Sequence, residues 1–252
     1  MSNQKTIVSY GGGTNSCALL IGLRDRGTVP DAILFADTGG ELPKTYQHIE
    51  YMRGWCANNG FPDITIVRVH QPSKCGSLEA YALKTKCLPS VAYGFKSCSV
   101  IFKVEPMNKW VKDTYPEEYK SGDIVRVIGI DAGESHRAKY IDYSWGKEIY
   151  PLIEWGWDRD DCIAAIDAAG VPRPGKSSCF FCPNSRVSEI KRLHARHPDL
   201  FARAIAMEDN ANLTTIKGLG RSFSWRDVIA TDDMFPELYN DMPCGCYEGG
   251  DE

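Results

Sequence analysis

Val8-Ser9-Tyr10-Gly11-Gly12-Gly13-Thr14-Asn15-Ser16 is the stretch on which the reading of this chain turns. Thr6, Ile7 and Val8 are β-branched and predict a short buried strand ahead of it. Ser16 to Arg26 predicts a helix after it, with Leu19, Leu20 and Leu23 on one face. Three glycines join the two. Glycine reaches positive φ and lets a ligand approach the main chain. The turn ends at a helix N-terminus, where unpaired N–H groups and the helix dipole favour an anion. Asn15 or Ser16 is placed to cap that helix. Gly11, Gly12, Gly13, Thr14, Asn15 and Ser16 therefore read as a phosphate cradle. No Gly-Lys-Ser/Thr closes the loop, so it is not a Walker A motif, and the third glycine of a dinucleotide fingerprint is missing.

Moving outward, Ala32 to Ala36 predicts a second buried strand, followed by the polar loop Asp37-Thr38-Gly39-Gly40-Glu41. Asp37 and Thr38 then sit at a strand's carboxyl end, where open α/β sheets bind ligands. Pro43 to Asn59 predicts a helix whose apolar face carries Ile49, Met52 and Trp55, and Ile64 to Val69 a third strand. The order βαβαβ implies a parallel sheet with right-handed crossovers. His70 to Ser97 has no clear period and reads as a mixed loop-and-helix insertion. A helix over Asn108 to Thr114 and a fourth strand over Ile124 to Ile130 follow. The latter leads into a polar loop, Asp131 to Arg137, where Arg137 can meet an anion. Tyr150 to Ile153 is expected as a fifth strand, and Arg159 to Ala169 as a helix.

Beyond residue 174 the character changes. Cys179-Phe180-Phe181-Cys182 is a C-x-x-C knuckle. Helices are expected over Ser188 to Ala195, which is basic, and over Asp199 to Asn210. The stretch Lys217 to Trp225 is basic and rich in glycine, and the tail carries Cys244-Gly245-Cys246. A boundary near 174 divides the chain into an α/β domain, 1–174, and a helical cysteine-bearing part, 175–252. The 252 residues suit one large α/β domain with an appendage, and an apolar content of 43% allows a sizeable core without staples. The net charge of −4 gives no global attraction to nucleic acid, so any basic site must be local. No apolar run approaches the ~20 residues that span a bilayer, and the first residues hold no apolar signal core, so a cytoplasmic protein with no membrane partner is expected. Ten cysteines in a reducing compartment suggest ligands, nucleophiles or small core residues rather than disulfides. Cys17, Cys56 and Cys162 lie in apolar helical patterns and read as core.

Five elements in order resemble the PP-loop ATP pyrophosphatases, in the branch of the phosphoadenylylsulfate (PAPS) reductase-like proteins. Gly11 to Ser16 match that branch's Ser-Gly-Gly-x-Asp-Ser loop, with Gly11 for serine, Thr14 where lysine is frequent and Asn15 for aspartate. Asp37-Thr38-Gly39 with Thr45 match its Asp-Thr-Gly element, and Cys98, Lys103 and Pro106 its Cys…Lys-x-x-Pro element. Gly129-Ile130, Glu134-Ser135 and Arg137 match its Gly-Ile-Arg-x-x-Glu-Ser element, and Tyr150-Pro151-Leu152 with Trp155 its Pro-Leu-x-x-Trp strand. The resemblance spans roughly residues 6–183.

It implies a doubly wound, mainly parallel five-stranded α/β fold and an adenine-nucleotide-dependent enzyme. ATP, or PAPS, would bind with Mg²⁺ at Gly11–Ser16, Asp37, Thr38, Gly129 and Ile130, while Lys103 and Arg137 neutralise phosphate charge and Asp37 positions metal or ribose. The reaction implied first is α–β cleavage of ATP to adenylate a substrate, followed by sulfur transfer, as in relatives that thiolate nucleic acid. A cysteine desulfurase or a thioredoxin-like protein would be the donor. A thiol-dependent PAPS or adenylylsulfate reductase, with Cys246 or Cys244 as nucleophile, is the alternative. A binding accessory that has lost the chemistry is a third. Iron–sulfur members of the branch carry a Cys-Cys pair and, roughly eighty residues on, a C-x-x-C. Here 81 residues separate Cys98 from Cys179, but Ser97 stands in place of the first cysteine of the pair. Cys98, Cys179 and Cys182 are thus candidate ligands of a [4Fe-4S] cluster or a zinc ion, with Cys244 as the fourth and Cys246, Cys87 or Cys75 as alternatives.

Overall fold

The computed structural model describes residues 4–70, 75–89, 91–92 and 95–234, and the side chains of all of these except 91, 92, 95, 96 and 232–234. In chain order the elements are β1 (Lys5–Ser9), α1 (Thr14–Asp25), β2 (Ala32–Ala36), α2 (Pro43–Asn58) and β3 (Ile64–Val67). Then come α3 (Leu78–Thr85), β4 (Val91–Ala92), β5 (Phe95–Lys96), α4 (Ser97–Ser99), a π-helical turn (Val100–Val104), α5 (Glu105–Thr114) and α6 (Pro116–Ser121). The chain continues with β6 (Ile124–Ile128), a 3-10 turn (Ala132–Arg137), β7 (Asp142–Tyr143), β8 (Gly146–Ile149), α7 (Pro151–Glu154) and α8 (Arg159–Ala168). It closes with α9 (Val187–Arg196), α10 (Pro198–Asn210) and α11 (Trp225–Met234). Two compact units interleave along the sequence. The first takes in the described residues up to Asp37, Glu41–Val69 and Phe102–Ser177. The second takes Thr38–Gly40, the described part of His70–Ile101 and the described residues from Ser178 onward.

The first unit is built on one sheet in the order β3-β2-β1-β6-β8-β7. All its pairs are parallel except β7 with β8. Side chains alternate across a strand, and here both sets are apolar. Val8, Ile33, Phe35, Val125 and Val127 pack with α1, α2 and α8 through Leu19, Leu20, Ile49, Met52 and Ile166. Ile7, Ala32, Leu34, Ala36 and Ile124 turn to the other face, against Met107 and Val111 of α5. A sheet covered on both faces is why β2 reads as an unbroken apolar run. The expectation of a doubly wound, mainly parallel α/β fold therefore holds.

Two details differ from the expected five strands. The sheet has six. Tyr150 to Ile153 is not a strand: Pro151 opens the short helix α7. Proline lacks the N–H that a ladder position needs, but its fixed φ suits a first helical turn. The strand beside β6 is instead β8, four residues earlier, whose sequence Gly-Lys-Glu-Ile has a single large apolar residue. Gly146 has φ +140°, and a Cβ there would collide with the Ile124 carbonyl oxygen.

In the second unit, the insertion contains α3, capped by Ser77 Oγ accepting the Ala80 N–H at 3.2 Å, and an antiparallel hairpin, β4–β5, that the sequence pattern does not announce. α9 and α10 lie where expected, and α11 is a further helix beyond them. No helix among the described residues is long and apolar enough to cross a membrane.

Candidate active site

β1 lies between β2 and β6. The chain steps from β1 to β2 to β3 on one side, then crosses to β6 on the other. Loops leaving the carboxyl ends of β1 and β6 therefore flank the point where strand order reverses, the usual ligand crevice of such sheets. The glycine turn is the first of these loops. Gly12 has φ +74°, and a Cβ there would lie 3.1 Å from Thr45 Cγ2 and 3.5 Å from Phe35 Cε2. Glycine is thus required twice, by backbone conformation and by space. Gly13, in extended conformation, is the N-cap of α1. Its N–H donates to Ser16 Oγ at 3.2 Å, and that hydroxyl donates to the Gly13 carbonyl at 3.0 Å. α1 has no acidic residue in its first turn. Its leading N–H groups have no intrahelical acceptor and no carboxylate competing for them from that turn.

The loop after β6 closes on the same turn. A Cβ on Gly129 would lie 2.9 Å from the Asn15 carbonyl oxygen, so the two backbones touch. Asn15 Nδ2 donates to Asp131 Oδ2 at 2.8 Å, and Asp131 Oδ1 accepts the Glu134 N–H at 3.0 Å. An aspartate at position 15 would meet Asp131 as a like charge; asparagine meets it as a donor. Ser177 Oγ donates to the Gly11 carbonyl. A cradle that a Cβ would fill, at a helix N-terminus, fits a phosphate group. Ile130 is buried, its N–H donating to the Ile128 carbonyl at 3.1 Å.

The expected charges are present, each on a partner. Asp37 is buried at the end of β2 and accepts the Tyr46 hydroxyl at 2.8 Å and Arg68 through Nε at 2.9 Å and Nη2 at 2.5 Å. Burial, with the bond to Asp37, pushes the Tyr46 phenol well above its ordinary range, and Asp37 raises the Arg68 guanidinium further. Lys103 Nζ lies 3.2 Å from Glu41 Oε1, while the buried Glu41 Oε2 has no hydrogen-bond partner among the described residues. Arg137 pairs with Glu134 at 2.5 Å. Both cations thus already sit on a carboxylate. Tyr46, Arg68 and Ser177 contact these residues although no sequence motif singles them out, whereas Glu41 and Asp131 lie in the polar loops that the sequence marks. Arg68 was within reach: it follows β3 at the same carboxyl edge that marks Asp37.

Cys17, Cys56 and Cys162 are fully buried in the core of the first unit, and burial raises each thiol to about 12, so they are packing residues as expected. In the second unit, the Cys182 N–H donates to the Cys179 carbonyl at 3.0 Å, closing the C-x-x-C turn. Thr38 Oγ1 lies 3.0 Å from Cys179 Sγ, and the Phe180 N–H donates to the Gly40 carbonyl at 2.7 Å. Gly40 has no room for a Cβ because the Phe181 ring occupies that space. Thr38 thus touches a thiol of the knuckle. Cys98 belongs to the same unit and is half-buried. Among the described residues no three His, Cys, Asp or Glu side chains are gathered to hold a metal ion. The knuckle supplies two thiols, and the described residues alone do not fit a complete cluster or zinc site. Cys244 and Cys246 lie outside the described residues.

No family model matches the chain. An uncharacterized protein of Methanocaldococcus jannaschii, MJ0066, is 24% identical over an alignment of 217 residues that covers 78% of this chain. The chain spans 40% of that relative's length. Among solved structures, the U34-tRNA thiolase NcsA from Methanococcus maripaludis, with its [4Fe-4S] cluster, is similar at 17% identity and a TM-score of 0.48, over 83% of this chain and 73% of that one.

Proposed function

We propose that this chain is an adenine-nucleotide-dependent enzyme that cleaves ATP between its α- and β-phosphates, adenylates an acceptor and supports sulfur transfer to the activated position, with a nucleic acid as acceptor. The observation that carries the reading is the glycine turn at the reversal of strand order, with Gly12 at positive φ and Gly129 against the Asn15 backbone. The five-motif resemblance to the PP-loop proteins supports the choice of adenine nucleotide. In the first step an acceptor oxygen attacks the α-phosphorus and pyrophosphate leaves. In the second a sulfur nucleophile displaces AMP, so the acceptor exchanges oxygen for sulfur.

The leading N–H groups of α1 hold phosphate oxygens. Lys103 and Arg137 leave Glu41 and Glu134 to neutralise the charge that builds on the departing pyrophosphate. Asp37, held by Tyr46 and Arg68, would position the ribose or a metal ion. Mg²⁺, when bound with the nucleotide, supplies further neutralisation of phosphate charge. Cys98, Cys179, Cys182 and Cys244 are the proposed ligands of a [4Fe-4S] cluster or a zinc ion. The C-x-x-C turn supports this, and no step above depends on it. The reductase alternative rests on Cys244 and Cys246.

Incubation with ATP labelled in the γ-phosphate should release labelled pyrophosphate in the presence of nucleic acid. Orthophosphate release alone, or sulfite formation from PAPS, would replace this reading with another. Anaerobic purification with metal analysis tests the cysteine set separately: stoichiometric iron or zinc is expected, lost in Cys179→Ser and kept in Cys17→Ser.

A further inference from the structure

The glycine-rich turn between α10 and α11 belongs to no part of the proposed chemistry, yet it is built under several constraints at once. The Lys217 N–H donates to the Arg221 carbonyl at 2.7 Å, the Arg221 N–H to the Gly218 carbonyl at 3.0 Å, and the Ser222 N–H to the Gly220 carbonyl at 2.8 Å. Gly218 packs so closely on Glu208 and Ser224, and Gly220 on the Phe223 ring, that neither has room for a Cβ. Glu208 is buried beneath the turn, accepting the Leu219 N–H at 2.6 Å and the Trp225 N–H at 3.0 Å. Leu219 within the turn and Trp225 just beyond it, each 1% exposed, anchor it. The turn is therefore held from inside, and its shape does not depend on a ligand.

It presents two cations. Lys217 and Arg221 are exposed, and their backbone hydrogen bond sets them across from each other. Neither is in an ion pair among the described residues, while the nearby Arg226 and Arg203 are spoken for by Asp209 and Glu79. Arg221 stands at φ +64°, a left-handed conformation that an arginine rarely adopts. Glycine or asparagine would make the same turn without strain, so the fold gains nothing from arginine there. Strain at a residue with no structural task points to the side chain's use. A guanidinium and an ammonium carried on one internally held turn match the oxygens of phosphodiester groups.

We propose that the Lys217–Ser222 turn is a backbone-reading contact for a nucleic acid. It positions the acceptor through phosphates without reading its sequence. The inference deepens the nucleic-acid part of the proposed function and rests on it.

The test uses the full chain and a fluorescein-labelled RNA hairpin, with affinity followed by anisotropy over a salt series. Lys217→Ala combined with Arg221→Ala should lower the slope of log affinity against log salt by about 2, and by the same amount for hairpins of unrelated sequence. Arg221→Gly removes one charge while relieving the left-handed arginine, so it should lower the slope by about 1 with the thermal midpoint unchanged or raised. Arg221→Lys should keep the wild-type slope. ATP binding, measured by calorimetry without RNA, should be equal in all variants; its absence even in wild type would sink the nucleotide reading and leave the slopes to stand. An unchanged slope in Arg221→Gly and in the double variant would overturn the inference, as would a wild-type chain that does not bind RNA.

Discussion

At Gly12 two constraints coincide: a positive φ, and a wall of Thr45 and Phe35 where a Cβ would go. Gly12→Val should lower stability by about 1–3 kcal/mol and abolish ATP binding by calorimetry. Gly27, at φ +66° with nothing within 4 Å, is the control. Gly27→Ala strains the backbone in the same way but fills no crowded site, and should keep ATP affinity. The need for glycine at 12 was legible in the sequence, because three consecutive glycines between a strand and a helix mark a turn that side chains would obstruct. The partners of Asp37 were not. Tyr46 is nine residues away in sequence and Arg68 thirty-one, and only the parallel packing of β2 beside β3 brings Arg68 to that carboxylate.

Among elements, the junction of α1 with the loop after β6 matters most. These segments are 116 residues apart at Asn15 and Asp131, and they meet because β6 pairs with β1 along its whole length. Asn15→Asp sets two carboxylates at hydrogen-bond distance. One of them must then hold a proton, so its folded pKa rises above the unfolded value. The added stability is present below the unfolded pKa and lost as pH rises through the folded one. Urea unfolding should show the variant about 1–3 kcal/mol less stable than wild type near neutral pH, with the gap closing toward about pH 4. A constant gap would place the cost in shape rather than charge. The expected fifth strand is the counter-example at this scale. Tyr150-Pro151-Leu152-Ile153 is apolar enough for a strand, but proline at its second position starts α7 instead. β8, with one large apolar residue, becomes a strand by pairing with β6.

For the molecule as a whole, acid stability offers a test of the first unit's packing. His48 is 6% exposed on α2, its Nε2 has no hydrogen-bond partner among the described residues, and burial, helped by the Lys44 charge, lowers its pKa to about 4. The unfolded chain takes up that proton near the ordinary value of about 6.5. The folded state is thus fully favoured above that value and loses ground as pH falls toward 4. His48→Phe keeps a ring beside Tyr51 and removes the titration. Between about pH 7 and about pH 4 the wild type should lose about 3 kcal/mol more than the variant in urea unfolding. Equal losses would mean the imidazole is solvated when charged.

Local sequence patterns suffice for the α/β class, the parallel pairing of the first strands, the glycine cradle and the core role of Cys17, Cys56 and Cys162. These follow from residue period, from glycine's conformational range and from apolar runs, which act over a few residues. Folding in three dimensions settles the rest: which carboxylate holds each cation, that Thr38 touches Cys179, that the chain's two compact units interleave, and that Lys217 and Arg221 share one turn. Those are meetings of distant segments or unusual backbone angles. They depend on strand order, burial and close backbone approach, which no local pattern encodes.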